Sequence, residues 1–256
     1  MRPLLTIAAL LLAAAPVAAQ SIGPASPTAS VPAGASTPCV PFSGCLVVAD
    51  FEQFEAGGLP IGWLTYENKR DVRPVTGELQ TDEERFVVAS ERGNRFIRAL
   101  VYGKAHRIIL PNDGEKLDWD VDSHPLLSWD WRALKLPVGA RENMSRLNDT
   151  GAAIYVVFDE DWLGRPRTIK YSYSSSLPKG QTASYGALRV LVVSSQVEEG
   201  IERWIPVRRD VQQDYRDLFG KEPPSRPSAI FLWSDSDSVD SEAEVDFDNL
   251  RIHASG

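Results

Sequence analysis

From Leu46 onward, apolar residues occur in short runs that glycine, proline, asparagine or aspartate interrupts every few residues. Each run is four to eight residues long and rich in valine, isoleucine or aromatic residues, which is typical of β-strands. The runs are too closely and irregularly spaced for strand–helix–strand repeats, so an all-β sandwich is expected. The predicted strands are residues 46–51, 86–89, 96–102, 107–110, 126–132, 152–158, 168–173, 188–194, 230–234 and 245–252.

One segment has helical periodicity instead, and we predict a short amphipathic helix over residues 210–219. Asp210 is placed to cap its N-terminus, with Gln213 three residues later as in a capping box. Gly220, followed by two prolines, is placed to end it. The apolar positions at helical spacing are Val211, Tyr215, Leu218 and Phe219.

Composition sets the size and excludes one class of partner. The chain has 256 residues, 43% of them hydrophobic, so it can bury a sizeable core as one large domain or two small ones. Acidic residues outnumber basic residues by 35 to 27, which gives a formal charge of −8. Proteins that bind nucleic acids usually present a basic face, so this balance argues against nucleic-acid binding.

The first 19 residues have the pattern of a secretory signal peptide, with a positive start, an apolar run and small residues before Gln20. The run is shorter than the roughly 20 residues of a membrane span, and no later stretch approaches that length. We therefore predict cleavage near Ala19, a secreted or periplasmic protein, and no membrane span after cleavage. Residues 20–38, rich in proline, alanine and serine, are predicted to be a flexible linker, and residues 39–256 one β-sandwich domain.

The chain has two cysteines, Cys39 and Cys45, on either side of the turn-forming Pro41 and Gly44. In an oxidising compartment such a close pair usually forms a disulfide, and we predict one here. A redox-active or metal-binding pair is the alternative, although the spacing is not Cys-x-x-Cys and no histidine is near.

The sequence lacks the short motifs of common catalytic sites. It has no zinc-binding cluster, no Gly-x-Ser-x-Gly elbow and no glycine-rich phosphate loop. Acidic residues cluster at positions 118–122 and 235–240, which fit either solvated loops or calcium sites outside the EF-hand class. Glycosidases need paired carboxylates, but the sequence does not single out such a pair.

Two tryptophans on one predicted strand are open to two interpretations. Alternation places Trp129 and Trp131 on one face of the strand and Asp130 and Arg132 on the other. The favoured interpretation is that the tryptophans belong to the core. The alternative is an aromatic platform on which a sugar stacks, and Tyr171 and Tyr173 pose the same question.

Several separated blocks, in their shared order, resemble the secreted bacterial family catalogued as domain of unknown function 3047. The resemblance runs from about Asp50 to Ile252. The blocks are Phe51-Glu52 with residues 59–63, residues 127–132, residues 148–158, residues 170–173, residues 209–220 and Asp235-Ser236-Asp237-Ser238.

This resemblance implies a jelly-roll sandwich similar to galactose-binding-like and carbohydrate-binding modules. In such modules, acidic residues near the first and last strands often hold a structural calcium. The corresponding positions here are Glu52 near the start, and Asp246 or Asp248 near the end. A structural calcium at these positions is therefore a further expectation.

Three functions compete at this point. The first is a non-catalytic module that binds a carbohydrate or another cell-envelope ligand. The second is a cell-envelope hydrolase or lyase that uses carboxylates and arginine from the same groove, and the third is a purely structural or interaction protein. The polar residues of the matching blocks are expected to line the site: Arg132, Asp149, Tyr173, Arg209, Asp210, Asp235 and Asp237.

Overall fold

The computed structural model describes residues 44–67, 71–161 and 163–255. Within them, two β-sheets pack face to face, and two helices lie outside the sheets. The strands are β1 Cys45–Ala49, β2 Leu64–Tyr66, β3 Val72–Pro74, β4 Glu84–Glu91, β5 Asn94–Tyr102, β6 Ala105–Pro111, β7 Leu126–Lys135, β8 Ala152–Glu160, β9 Pro166–Ser174, β10 Thr182–Tyr185, β11 Leu188–Ser195, β12 Ile205–Asp210, β13 Ala229–Asp235 and β14 Glu242–His253, and the helices are α1 Gln196–Glu199 and α2 Val211–Phe219.

The strand order confirms the jelly-roll prediction. The six-stranded sheet has the order β12-β7-β14-β5-β4, with β1 also paired to β14. The eight-stranded sheet has the order β10-β11-β9-β8-β13-β6-β2-β3. The chain passes from one sheet to the other eight times, including every step from β5 to β8 and from β11 to β14, so that strands of the two sheets alternate along the chain as in a jelly roll.

The core between the sheets contains aromatic side chains from both sheets. Trp129 and Trp131 of β7 face Tyr171 and Tyr173 of β9 across the sandwich, with ring centroids 5.5 and 5.6 Å apart. All four side chains are fully buried. The interpretation of the tryptophans as core residues is therefore confirmed, and these rings are not a sugar platform.

The predicted helix is α2, and both of its ends follow the expected chemistry. The Asp210 carboxylate accepts a hydrogen bond from the backbone N–H of Gln213 at 2.9 Å. Gly220 ends the helix in the left-handed conformation, with φ 69°, which glycine adopts without steric cost. The apolar face of α2 buries Val211, Tyr215 and Leu218.

The sequence analysis missed four strands, of which two have three residues, one has four and one has six. The strands β2, β3 and β10 are shorter than the four-to-eight-residue runs that the pattern search requires, or at its lower limit. The missed β12 contains Pro206 and two arginines, so it has no apolar run. It pairs with β7 at an edge of its sheet, where a proline is tolerated.

Several predictions concern residues outside the described ranges. These are the signal peptide over residues 1–19, the linker over residues 20–38, and Cys39. The disulfide to Cys45 therefore stays a prediction. Among the described helices, none combines the length and the apolar composition that crossing a bilayer would take.

Candidate functional site

Of the seven residues predicted to line a site, three converge. Asp149 precedes β8, and Asp235 and Asp237 lie where β13 ends. Each of these aspartates places one carboxylate oxygen within 4.8 Å of the other two. They lie at one end of the eight-stranded sheet.

The surface next to these aspartates is the outer face of the eight-stranded sheet, directed away from the other sheet. Strand alternation builds it, because Ile154 and Leu232 point into the core between the sheets whereas Tyr155 and Trp233 point out. Lys170 lies beside Tyr155 on the neighbouring strand, on the same outer face. The outer face is thus a second, separate cluster of buried side chains.

Aromatic rings and one arginine make up the middle of the outer face. The rings of Tyr155 and Trp233 stack with centroids 4.8 Å apart. The guanidinium of Arg107 lies 4.2 Å from the ring centroid of Trp233 and 4.2 Å from that of Tyr66. A guanidinium held between two rings is fixed in orientation by stacking and cation–π attraction.

Several polar atoms of the outer face are buried and lack a hydrogen-bond partner within the described chain. They include Nε of Arg107, Nε1 of Trp233 and the hydroxyl of Ser172. A buried donor without a partner costs about 1–3 kcal/mol. Two of these groups, those of Arg107 and Trp233, lie beside each other among aromatic rings, and a polar ligand requires such an arrangement.

A pocket of about 300 Å³ opens beside Arg107, between β2, β6 and a short 3₁₀ turn. Arg107 and Tyr66 contribute to its wall, together with Glu67, Glu84 and His106. This volume is at the lower end of the range typical of small-molecule sites. Arg107 therefore connects the ring cluster with an open cavity.

Lys170 lies between the ring cluster and the acidic end of the outer face. Its side chain is 1% exposed, and its ammonium donates to the backbone oxygen of Asn148 at 3.3 Å. Burial lowers the pKa of Lys170, and the negative charges of Asp235, Glu142 and Asp149 oppose that shift. The Lys170 amine is thus buried among carboxylates.

The carboxylates around Lys170 are held by the chain itself. Oδ2 of Asp149 accepts the backbone N–H groups of Ser238 and Val239, both at 2.8 Å. Glu142 is 1% exposed, and one of its oxygens accepts the hydroxyl of Ser174 at 2.7 Å. Burial raises the pKa of Glu142 above its usual range, and burial raises that of Asp235 further.

Arg132 does not join this site, because β7 belongs to the other sheet. Its guanidinium bonds the carboxylate of Asp246 at 2.7 Å and that of Glu91 at 2.7 Å. Arg98 binds the same Asp246 carboxylate at 2.7 Å. Arg132 also lies 4.9 Å from the ring centroid of Trp204, so it belongs to an ion-pair network on the six-stranded sheet.

The remaining three predicted residues make structural contacts with groups outside the acidic cluster. The guanidinium of Arg209 pairs with the buried Asp214 of α2, and the Tyr171 hydroxyl donates to the same carboxylate. Asp210 caps that helix, and the hydroxyl of Tyr173 donates to the backbone oxygen of Gly200 from within the core.

The residues expected to hold calcium have different bonding partners. Both oxygens of Asp246 are taken by the guanidiniums of Arg98 and Arg132, so Asp246 acts as the anion of an ion pair. Asp248 accepts the side-chain amide of Asn94 at 2.9 Å, and the negative charge of Glu52 acts on it. Calcium between Glu52 and Asp248 stays a prediction.

Sequence reasoning missed five residues of the outer face and its acidic end. Alternation offered a signal for some of them, because a strand that buries Tyr171 and Tyr173 must direct Lys170 to the opposite face. The same argument applies to Tyr155, beside the core residue Ile154. The missed residues are Arg107, Glu142, Tyr155, Lys170 and Trp233.

The topology and the polar outer face define the class of the chain as a jelly-roll β-sandwich protein with one candidate binding face. The chain belongs to the family described as "Protein of unknown function (DUF3047)", whose profile matches residues 73–251. This finding confirms the resemblance that the sequence blocks indicated. No curated protein matches the chain.

Solved structures with a similar arrangement of strands include three carbohydrate-binding modules. The family 11 module of the cellulase Lic26A-Cel5E of Clostridium thermocellum is 9% identical, with a TM-score of 0.40, over 83% of this chain and 95% of that one. A family 28 module specific for non-crystalline cellulose is 12% identical, with a TM-score of 0.42, over 82% and 95%. The xylan-binding CBM22-1 domain of Paenibacillus barcinonensis Xyn10C is 13% identical, with a TM-score of 0.37, over 83% and 96%. At these values the likeness carries no argument about ligand or site residues.

Proposed function

We propose that the chain is an exported, non-catalytic module that binds a carbohydrate against the outer face of its eight-stranded sheet. The observation that carries this proposal is the state of Arg107. Its guanidinium is clamped between two rings, it forms part of the wall of a pocket of about 300 Å³, and its Nε is buried without a partner. A preorganised donor of this kind gains a hydrogen bond when a ligand enters.

The chemistry of the face favours a sugar over other small ligands. Sugars present hydroxyl groups at their edges and C–H groups on their faces, so they suit planar hydrogen-bonding groups placed beside aromatic rings. The indole N–H of Trp233 and the hydroxyl of Ser172 add two unpartnered groups to that of Arg107. With a formal charge of −8, the chain is better suited to a neutral polysaccharide than to an anionic one.

One observation supports an enzymatic alternative. The buried Lys170, with a lowered pKa, and the partly buried Asp235, with a raised pKa, interact electrostatically. Strongly perturbed groups of this kind cluster at catalytic sites, where they transfer protons. A hydrolase or lyase of the cell envelope is therefore the second candidate, and the assay below distinguishes it.

The test is retention of the purified chain on a panel of insoluble and soluble polysaccharides, with released reducing ends measured in the same tubes. We expect at least one neutral polysaccharide to deplete the chain from solution without release. Release of reducing ends that Asp235→Asn abolishes would replace the binding module with the enzyme. Absence of both retention and release would overturn the proposal.

A matched pair of variants tests the placement of the site. Arg107→Lys keeps the charge but removes the planar fork and Nε, and we expect it to reduce retention at least tenfold. Arg132→Lys makes the same change at an arginine of the six-stranded sheet that lies against the ring of Trp204, and we expect no effect on retention. Equal losses in the two variants would show that the outer face is not the binding surface.

The export signal is a separate part of the proposal. Cleavage after Ala19 in a bacterial host would give a mature chain that begins at Gln20, and N-terminal sequencing of the exported fraction would detect it. Recovery of the uncleaved chain from the cytoplasm alone would contradict export.

A further inference from the structure

We infer that Asp149, Asp235 and Asp237 bind a divalent cation of the calcium type at the acidic end of the outer face. This inference does not depend on the proposed carbohydrate ligand, because it rests on a different set of atoms. It assigns the cation to a position other than Glu52 and Asp248, where family resemblance placed one.

The first argument is geometric. One carboxylate oxygen from each aspartate lies within 4.8 Å of the other two. Calcium binds oxygen at 2.3–2.6 Å, so two ligands on opposite sides of one ion are about 4.6–5.2 Å apart. The three oxygens can therefore contact a single calcium ion with little movement.

The second argument is that lone pairs at this position have no partner. Asp149 is 1% exposed, and while its Oδ2 accepts two backbone N–H groups, its Oδ1 has no hydrogen-bond partner among the residues that the structure describes. Oδ1 of Asp235 is also buried without a partner. Because a buried carboxylate oxygen without a donor is costly, these atoms point to a ligand that supplies positive charge.

The third argument is the balance of charge. Carboxylate oxygens of Asp149, Asp235 and Asp237 lie within 4.8 Å of one another, and ionised carboxylates this close repel unless a proton or a cation lies between them. Lys170 supplies one positive charge to a region that also holds Asp149 and Glu142, and it donates its protons to Asn148. A divalent ion would neutralise the excess of negative charge.

Such an ion would connect two parts of the chain that are distant in sequence. Asp149 lies just before β8, whereas Asp235 and Asp237 lie at the start of the turn that joins β13 to β14. The backbone of that turn already contacts Asp149 through Ser238 and Val239. The cation therefore adds to an existing contact, and its binding should stabilise the folded chain.

Terbium luminescence is the first measurement, because Tb³⁺ replaces calcium at oxygen sites and is excited by nearby tryptophan. Trp233 lies two residues before Asp235 on the same face of β13, so excitation at 280 nm should produce sensitised emission. We expect added calcium to displace the bound terbium and so to reduce that emission. We also expect calcium at a hundredfold excess over its Kd to raise the Tm by about 5–10 °C relative to chelator.

Three variants locate the ion. Asp235→Asn and Asp237→Asn should each reduce terbium emission at least tenfold. Each should also reduce the calcium-dependent rise in Tm by more than half. Asp248→Asn is the matched control at the other candidate position, and it should retain both signals. Because Asp237 is exposed, its variant is expected to fold even if a change at the more buried Asp235 does not.

The outcomes separate the interpretations. Loss of both signals in Asp248→Asn alone would place the cation near Glu52 and overturn the inference. Absence of terbium emission and of any calcium effect on Tm in the unmodified chain would also overturn it. A lower Tm of Asp237→Asn in chelator, together with no effect of calcium on the unmodified chain, would indicate a purely structural ion network around Lys170 and overturn the inference.

Discussion

Two aspartates of β14, Asp246 and Asp248, show how strongly neighbouring side chains determine what a buried carboxylate does. Asp246 is bonded by two guanidiniums, whereas Asp248 receives the Asn94 amide and the backbone N–H of Asn249, with no cation bonded to it within the described ranges. Amide donors compensate less than cations do, and burial therefore raises the pKa of Asp248 to about 7. In the sequence the two residues are two positions apart, which places both on one face of the strand. The alternating pattern alone therefore predicts the same role for both.

Replacing Asp248 with asparagine should change how stability depends on pH. Because the folded pKa of about 7 lies above the unfolded value of about 3.9, the folded chain binds this proton more tightly between pH 4 and 7. The free energy of unfolding of the unmodified chain therefore falls as pH rises through this window. Asp248→Asn does not titrate, so above pH 7 it should be more stable by about 2–4 kcal/mol.

Urea denaturation at several pH values, in chelator, measures this difference. Asp82→Asn, at a fully exposed position, is the control and should leave the pH profile unchanged. Parallel profiles for Asp248→Asn and the unmodified chain would contradict the raised pKa of Asp248.

At the scale of elements, long periodic segments were predictable and short ones were not. The helix α2 was predicted within one residue, because an apolar face, a capping aspartate and a terminal glycine agree. The strand β10 has four residues and is a strand because it pairs with β11. A pattern within four residues does not encode such pairing. The same limit applies to the parallel pairing of β9 with β11.

Removing the N-terminal cap of α2 should have a measurable but local effect. Asp210→Ala leaves the N–H of Gln213 without its side-chain acceptor, which should lower the free energy of unfolding by about 1 kcal/mol. Asp217→Ala, on the exposed face of the same helix, is the control and should leave stability unchanged within error. Chemical denaturation monitored by circular dichroism measures both, and equal effects of the two changes would contradict a capping role.

At the scale of the whole molecule, the jelly-roll connectivity explains why the candidate site was only partly predicted. Asp149 and the 238–239 backbone meet because β8 and β13 are neighbours in one sheet, although 89 residues separate Asp149 from Ser238. Family resemblance pointed to these acidic residues because they lie in the matching blocks. It also pointed to Arg132 and Arg209, which lie elsewhere, because the order of the blocks does not tell which of the two sheets a strand joins.

The predicted disulfide would act on this whole assembly, because Cys45 begins β1, and β1 pairs with the last strand. A loop as short as the one from Cys39 to Cys45 should contribute about 2 kcal/mol. We therefore expect a reductant to lower the Tm by about 4–8 °C. A double variant with both cysteines changed to serine should not respond to reductant, and an unmodified chain that is equally insensitive would contradict the disulfide.

The edges of the two sheets have a consequence for association between chains. The eight-stranded sheet ends in β3 and β10, which have three and four residues, and β3 ends in Pro74. In the other sheet, β12 carries Pro206, while the N–H and C=O groups of Val88 in β4 are bonded to the backbone at Gly57 and Gly58. At these four edges the folded chain therefore offers little surface on which crowded copies could begin amyloid-like stacking.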